Sequence, residues 1–137
     1  MKTDVLTVKD FLLTGDSFLI LCHRSPDGDT LGSAFALCLG LRSLGKKARV
    51  VCADPVPQKY YYISYCDEQF EEKVVVAVDV ADPKLLGALE AVYGDRVDLC
   101  IDHHPSNKLY AKTTLLDGEA AATAQIIYRV LVALGFN

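Results

Sequence analysis

Residues 74–78 read Val-Val-Val-Ala-Val, five apolar residues with no polar residue among them. A strand with one wet face alternates apolar with polar, whereas an unbroken β-branched run is a strand covered on both faces, as in a parallel sheet between two layers. The neighbouring segments extend that pattern. Residues 17–22 (SFLILC), 48–52 (ARVVC) and 97–102 (VDLCID) are further runs of strand length, with 113–117 (TTLLD) as a shorter one. Helical signals lie between them. Ser33 to Leu44 is rich in alanine and leucine and stops at Gly45. Residues 84–93 follow Asp82 as a cap and Pro83 in the first turn. Residues 119–134 are capped by Asp117 and stopped by Gly135, and a proline-punctuated stretch carries a short helix around residues 58–63. The alternation predicts one α/β domain, doubly wound, with a mostly parallel five-stranded sheet and helices on both faces. A length of 137 residues suits one such domain, and no repeat or linker divides it.

Composition excludes several classes. With 51% apolar and 23% charged residues and no low-complexity tract, the chain has what it needs to bury a core. A net charge of −4 argues against a general grip on duplex DNA and fits small substrates better. No apolar run approaches the ~20 residues of a membrane span, and the N-terminus lacks the features of a signal peptide. The five cysteines (Cys22, Cys38, Cys52, Cys66 and Cys100) are odd in number, lack a C-x-x-C pair and sit mostly in apolar runs. Reduced, buried thiols in a cytoplasmic protein fit that pattern.

Chemistry-bearing residues gather at one kind of place. His23, Asp27 and Asp29 follow the first strand, Asp79 ends the valine strand, and Asp102, His103 and His104 end the "VDLCI" strand. All three groups fall at carboxyl ends of strands, the edge where an open parallel sheet forms its ligand crevice. Aspartates brought together repel one another unless a cation neutralises them. Carboxylates mixed with imidazole suit manganese, iron, cobalt or zinc, and an acid able to bridge two such groups suits two ions ~3.5–4 Å apart clamping a phosphoryl group. Taken singly, each motif has a bland explanation: a solvated loop, a helix cap, a turn. Their convergence on one edge favours function. A Rossmann-type nucleotide site is excluded, because "SPDGDTLGS" lacks the G-x-G-x-x-G spacing and fills the loop with acid.

The stretch His23 to Ser33, "HRSPDGDTLGS", together with "VAVDVAD", "IDHHP" and "EAAATAQIIY", resembles the DHH phosphoesterase superfamily over about residues 17–134. Its signatures include H-x-x-P-D-x-D-x-x-G-S and Asp-His-His, and the likeness is greatest to the branch of bifunctional oligoribonucleases and pAp phosphatases. The resemblance implies two ions, manganese by expectation, with magnesium, cobalt or zinc as alternatives. His23 and Asp27 would hold one, Asp29 and His103 the other, and Asp79 would bridge them. His104 would face the phosphate and Asp102 would orient the histidines. Gly28 and Gly32 would permit a tight turn, Gly32, Ser33 and the helix amides would rest a phosphate, and Arg24 and Lys108 are candidates for added positive charge.

Members of the superfamily carry a fourth motif with one more metal-binding aspartate and then a smaller substrate domain, DHHA1; the expectation for residues 1–137 is a single DHH-type domain lacking both. Asp27, Asp29 and Asp79 then set three negative charges against the four positive ones of two divalent ions, so the second ion should bind more weakly. The expected substrates are short oligonucleotides, cyclic dinucleotides or a 3′-phosphonucleotide such as pAp. Alternatives are a metal-binding regulatory or catalytically incomplete module, and a pyrophosphatase-like activity. Exposed strand edges would favour a homodimer.

Overall fold

A computed structural model of the chain describes residues 1–63, Tyr62 and Ile63 by backbone alone, and 69–136. Five strands, β1 (Phe18–Leu21), β2 (Ala48–Val51), β3 (Val74–Val78), β4 (Leu99–Asp102) and β5 (Thr113–Leu116), form one sheet in the order β2-β1-β3-β4-β5. Every neighbouring pair is parallel. The valine run is its middle strand, and alternate side chains explain its composition. Val76 and Val78 enter one core with Phe18, Ile20, Leu99 and Ile101, whereas Val75 and Ala77 enter a second with Leu19, Leu21 and Cys100. Both faces are covered, unequally. The first packs under α1 (Val5–Thr14), α2 (Gly28–Ser43) and α4 (Thr123–Ala133), and the second under the short turns of residues 83–93 and the ring of Tyr110.

The helices differ from the sequence expectation where their caps do. α1 has no counterpart in the sequence reading; Asp4 caps it by accepting the Thr7 amide, and only Val8 and Leu12 are buried, too thin a stripe to stand out. α2 begins at Gly28 rather than Ser33, because the Asp27 carboxylate accepts the Thr30 amide at 3.0 Å and caps the helix there. Gly28 and Gly32 are therefore helical and make no tight turn; the left-handed turn residue is Ser25, at φ 50°. The expected helix over residues 84–93 splits into a 3₁₀ segment, Pro83–Leu89, and α3 (Glu90–Tyr93), with Gly87 at φ 62° breaking it. Asp82 does cap that segment, through the Lys84 amide. Asp117 does not cap α4: it accepts the Glu119 amide and pairs with Arg129, and α4 starts later, at Thr123.

Gly45 (φ 83°) and Gly135 (φ 105°) end α2 and α4 as expected. In each, the glycine amide and the one after it return to the last turn, Lys46 N–H to the Leu41 carbonyl and Phe136 N–H to the Leu131 carbonyl. Among the described residues no helix is long and apolar enough to cross a membrane. Cys22, Cys38 and Cys100 are buried, Cys52 is half-buried, and none of these four is in a disulfide; Cys66 lies outside the described residues. The strand order places β2 and β3 on opposite sides of β1. The chain thus leaves β1 to one side and β3 to the other, and a crevice opens at the carboxyl ends of those two strands.

Candidate metal centre

Asp79 directly follows β3 into that crevice. It is only 3% exposed, and its backbone turns left-handed at φ 64°, held by its amide donating to the Ile101 carbonyl at 2.9 Å. That turn aims the carboxylate between two histidines. Oδ2 lies 3.5 Å from His23 Nε2, and Oδ1 lies 3.5 Å from His103 Nε2. His23 comes off β1 and also stands 3.5 Å from Asp27 Oδ1; His103 comes off β4 and stands 3.6 Å from Asp29 Oδ2. His104 Nδ1 is 3.7 Å from Asp79 Oδ1. The three expected segments therefore converge, with Asp79 common to both sides.

These separations are informative. A good hydrogen bond would bring nitrogen and oxygen to about 2.7–3.2 Å. Two donors each ~2.1 Å from a shared cation and spread by about 110° lie about 3.4 Å apart. His23, Asp27 and Asp79 offer one ligand atom each within 4.8 Å of one another, and Asp79, His103 and His104 do the same. Such a donor set, nitrogen and carboxylate oxygen in two adjoining groups, fits divalent cations.

Each ring has its other nitrogen occupied. His23 Nδ1 faces the Arg24 carbonyl at 2.7 Å and His103 Nδ1 the Ala120 carbonyl at 3.2 Å, leaving both Nε2 atoms for the crevice. Asp102, fully buried, contacts His104 Nδ1 at 2.7 Å. Burial, with the nearby Asp102 charge, pushes the Cys100 thiol up to about 12, and burial raises Tyr110 as well. The carboxylate of Asp79 raises His23 from 6.5 to about 9, against partial burial, with the Arg24 carbonyl and Asp27 adding to the rise.

The remaining expected residues stand differently. Ser33 is buried, its hydroxyl 3.4 Å from Asp29 Oδ1, so it sits behind that aspartate instead of offering itself to a phosphate. Gly32 lies within α2, and Arg24 and Lys108 are exposed. Arg24 packs beside Gly87.

Four residues that sequence reasoning passed over bind the centre together. Asn107 donates to Asp102 Oδ2 at 2.8 Å, while its own Oδ1 accepts the Leu109 amide. Thr30 donates to the Val78 carbonyl, tying α2 to the end of β3. Thr123 donates its hydroxyl to Asp79 Oδ1 at 2.9 Å and its amide to Asp29 Oδ2 at 3.0 Å, and the Ala124 amide reaches Asp29 Oδ1 at 2.9 Å. Asp29 thus caps α4, whose own cap position, Ala122, has no side-chain acceptor. The spacing of Asn107 after "DHH" was a usable local signal; the capping of α4 by a residue 94 positions earlier had none.

The chain is 31% identical over 121 residues, 85% of its length, to a Thermus thermophilus protein named bifunctional oligoribonuclease and PAP phosphatase NrnA, and spans 36% of that protein. It superposes on the crystal structure of an exopolyphosphatase-related protein from Bacteroides fragilis with a TM-score of 0.81 at 22% identity, over 96% of this chain and 43% of that one. The likeness to the latter is one of fold. Residues 17–136 match the model of the DHH family, N-terminal domain, which spans all three segments of the crevice, and the chain belongs to that family.

Proposed function

We propose that the chain is the metal-binding catalytic domain of a phosphoesterase, a hydrolase acting on short oligonucleotides, cyclic dinucleotides or a 3′-phosphonucleotide such as pAp. The observation that carries this reading is Asp79, whose two carboxylate oxygens face different histidines at ligand-to-ligand spacing. His23, Asp27 and Asp79 would hold one divalent ion, and Asp29, His103 and Asp79 the other, with manganese the first candidate. When bound, such a pair supplies Lewis acidity toward a phosphoryl oxygen and lowers the pKa of water toward neutrality.

The chain's own residues prepare that chemistry. Asp102 fixes His104 through Nδ1 and leaves Nε2, on a side chain 43% exposed, to meet a phosphate oxygen. Thr123 holds Asp79 and Asp29, the Thr30 amide holds Asp27 and Asn107 holds Asp102, so little reorganisation is needed when substrate arrives. The name of the Thermus relative supports the substrate class; this chain spans about a third of it, so choice among substrates belongs to the whole protein.

The test is manganese retention after loading and dialysis, read by elemental analysis, on the parent chain and on Asp79→Ala. The parent is expected to retain the metal and the variant to lose it, with hydrolysis of pAp or a short oligonucleotide falling in parallel. Equal retention in both would refute the shared centre.

A further inference from the structure

We propose that Thr123 is the positioning residue for the Asp29 side of the centre, holding two metal-side carboxylates at once; this rests on the metal-centre reading above. Its side chain is fully buried, yet both of its donors point at acids, the hydroxyl at Asp79 Oδ1 (2.9 Å) and the amide at Asp29 Oδ2 (3.0 Å). Those two oxygens are the ones facing His103 Nε2, at 3.5 and 3.6 Å. Two carboxylates beside one imidazole repel each other. A single threonine that donates to both fixes the two acids relative to each other before any ion arrives. A carboxylate can accept about four hydrogen bonds, so each oxygen retains a lone pair for metal.

The other side of the centre is held by different groups. Asp27 is tied to the Thr30 amide and His23 to the Arg24 carbonyl, and Thr123 reaches that side only through Asp79. Removing the hydroxyl while keeping the shape takes away the bond to Asp79 Oδ1, the oxygen that faces His103, and leaves the amide bond to Asp29 in place. Side chains that orient metal-binding groups usually change affinity by about 10–100-fold.

The experiment is a manganese titration, followed by calorimetry and by the electron paramagnetic resonance of free Mn²⁺, on the parent, Thr123→Val, Thr123→Ser and Asp79→Ala. Thr123→Val is expected to weaken binding of at least one ion by about tenfold or more. Thr123→Ser, which keeps the hydroxyl and loses a methyl, is expected to bind like the parent. Should circular dichroism show that Thr123→Val does not fold, Thr123→Ala carries the same expectation. Parent-like binding by the valine (or alanine) variant overturns the inference alone, as does a serine variant weakened equally, since packing would then be the cause. A parent that takes up no manganese, or binds it no better than Asp79→Ala, overturns the metal-centre reading and this inference with it.

Discussion

At φ 64° Asp79 occupies the left-handed region, which costs a residue bearing a β-carbon about 1–2 kcal/mol and which aspartate tolerates better than most. The cost is offset by where the turn points the carboxylate, between His23 and His103. His23 carries a pH signature of the same arrangement. Its folded pKa, raised chiefly by Asp79 to about 9, lies above the ordinary 6.5. Protonated His23 therefore stabilises the metal-free fold fully below about pH 6.5, and that contribution is lost as pH rises through about 9. Urea unfolding in the presence of a chelator is expected to show stability falling across this window, with the fall flattened in His23→Gln; a profile that rises there would contradict the assignment. The metal competes with the same proton, so manganese affinity should climb over the same range.

Among the helices, two caps coincide with two acids of the centre. Asp27 caps α2, its own helix, and Asp29 caps α4, a different one. Asp29→Ala should thus cost about 1 kcal/mol of stability even without metal, the usual worth of a lost N-cap, measurable by urea unfolding in chelator. An unchanged midpoint would mean that water replaces the cap at no cost. The 3₁₀ segment Pro83–Leu89 makes a second element-level demand. Gly87 sits at φ 62°, ψ −130°, and an added β-carbon would lie 3.3 Å from Ala53 Cβ and from Arg24 Cβ. Gly87→Ala is expected to destabilise by about 1–3 kcal/mol, through backbone strain and through pressure on the His23 loop. A thermal midpoint within error of the parent's would show that the segment can shift without loss.

For the whole molecule, the centre ties together β1, β3, β4 and the starts of α2 and α4, so an ion bound there binds the folded state alone. At a free concentration about 100 times Kd it should add ~2.7 kcal/mol of stability, a rise of several degrees in Tm over chelator that Asp79→Ala does not show. Much of this architecture is legible in the residues themselves. The valine run and "FLILC" are continuous apolar segments, as a strand buried on both faces requires, and together with "LCI" their ends locate His23, Asp79 and the Asp102–His104 group at one edge. The glycine stops of α2 and α4 are equally local. What local sequence does not carry is the set of bonds made across the fold. Asp29 caps a helix 94 residues away, Thr123 holds two acids from two other elements, and Ser33, which reads as a phosphate rest, turns inward to Asp29. The sequence by itself determined the parallel sheet and which residues reach its carboxyl edge, because burial on both faces and strand ends are properties of short segments. Only the tertiary structure decided which side chain holds which, because a hydrogen bond depends on atoms meeting within about 3 Å, and that meeting exists only once the chain has folded.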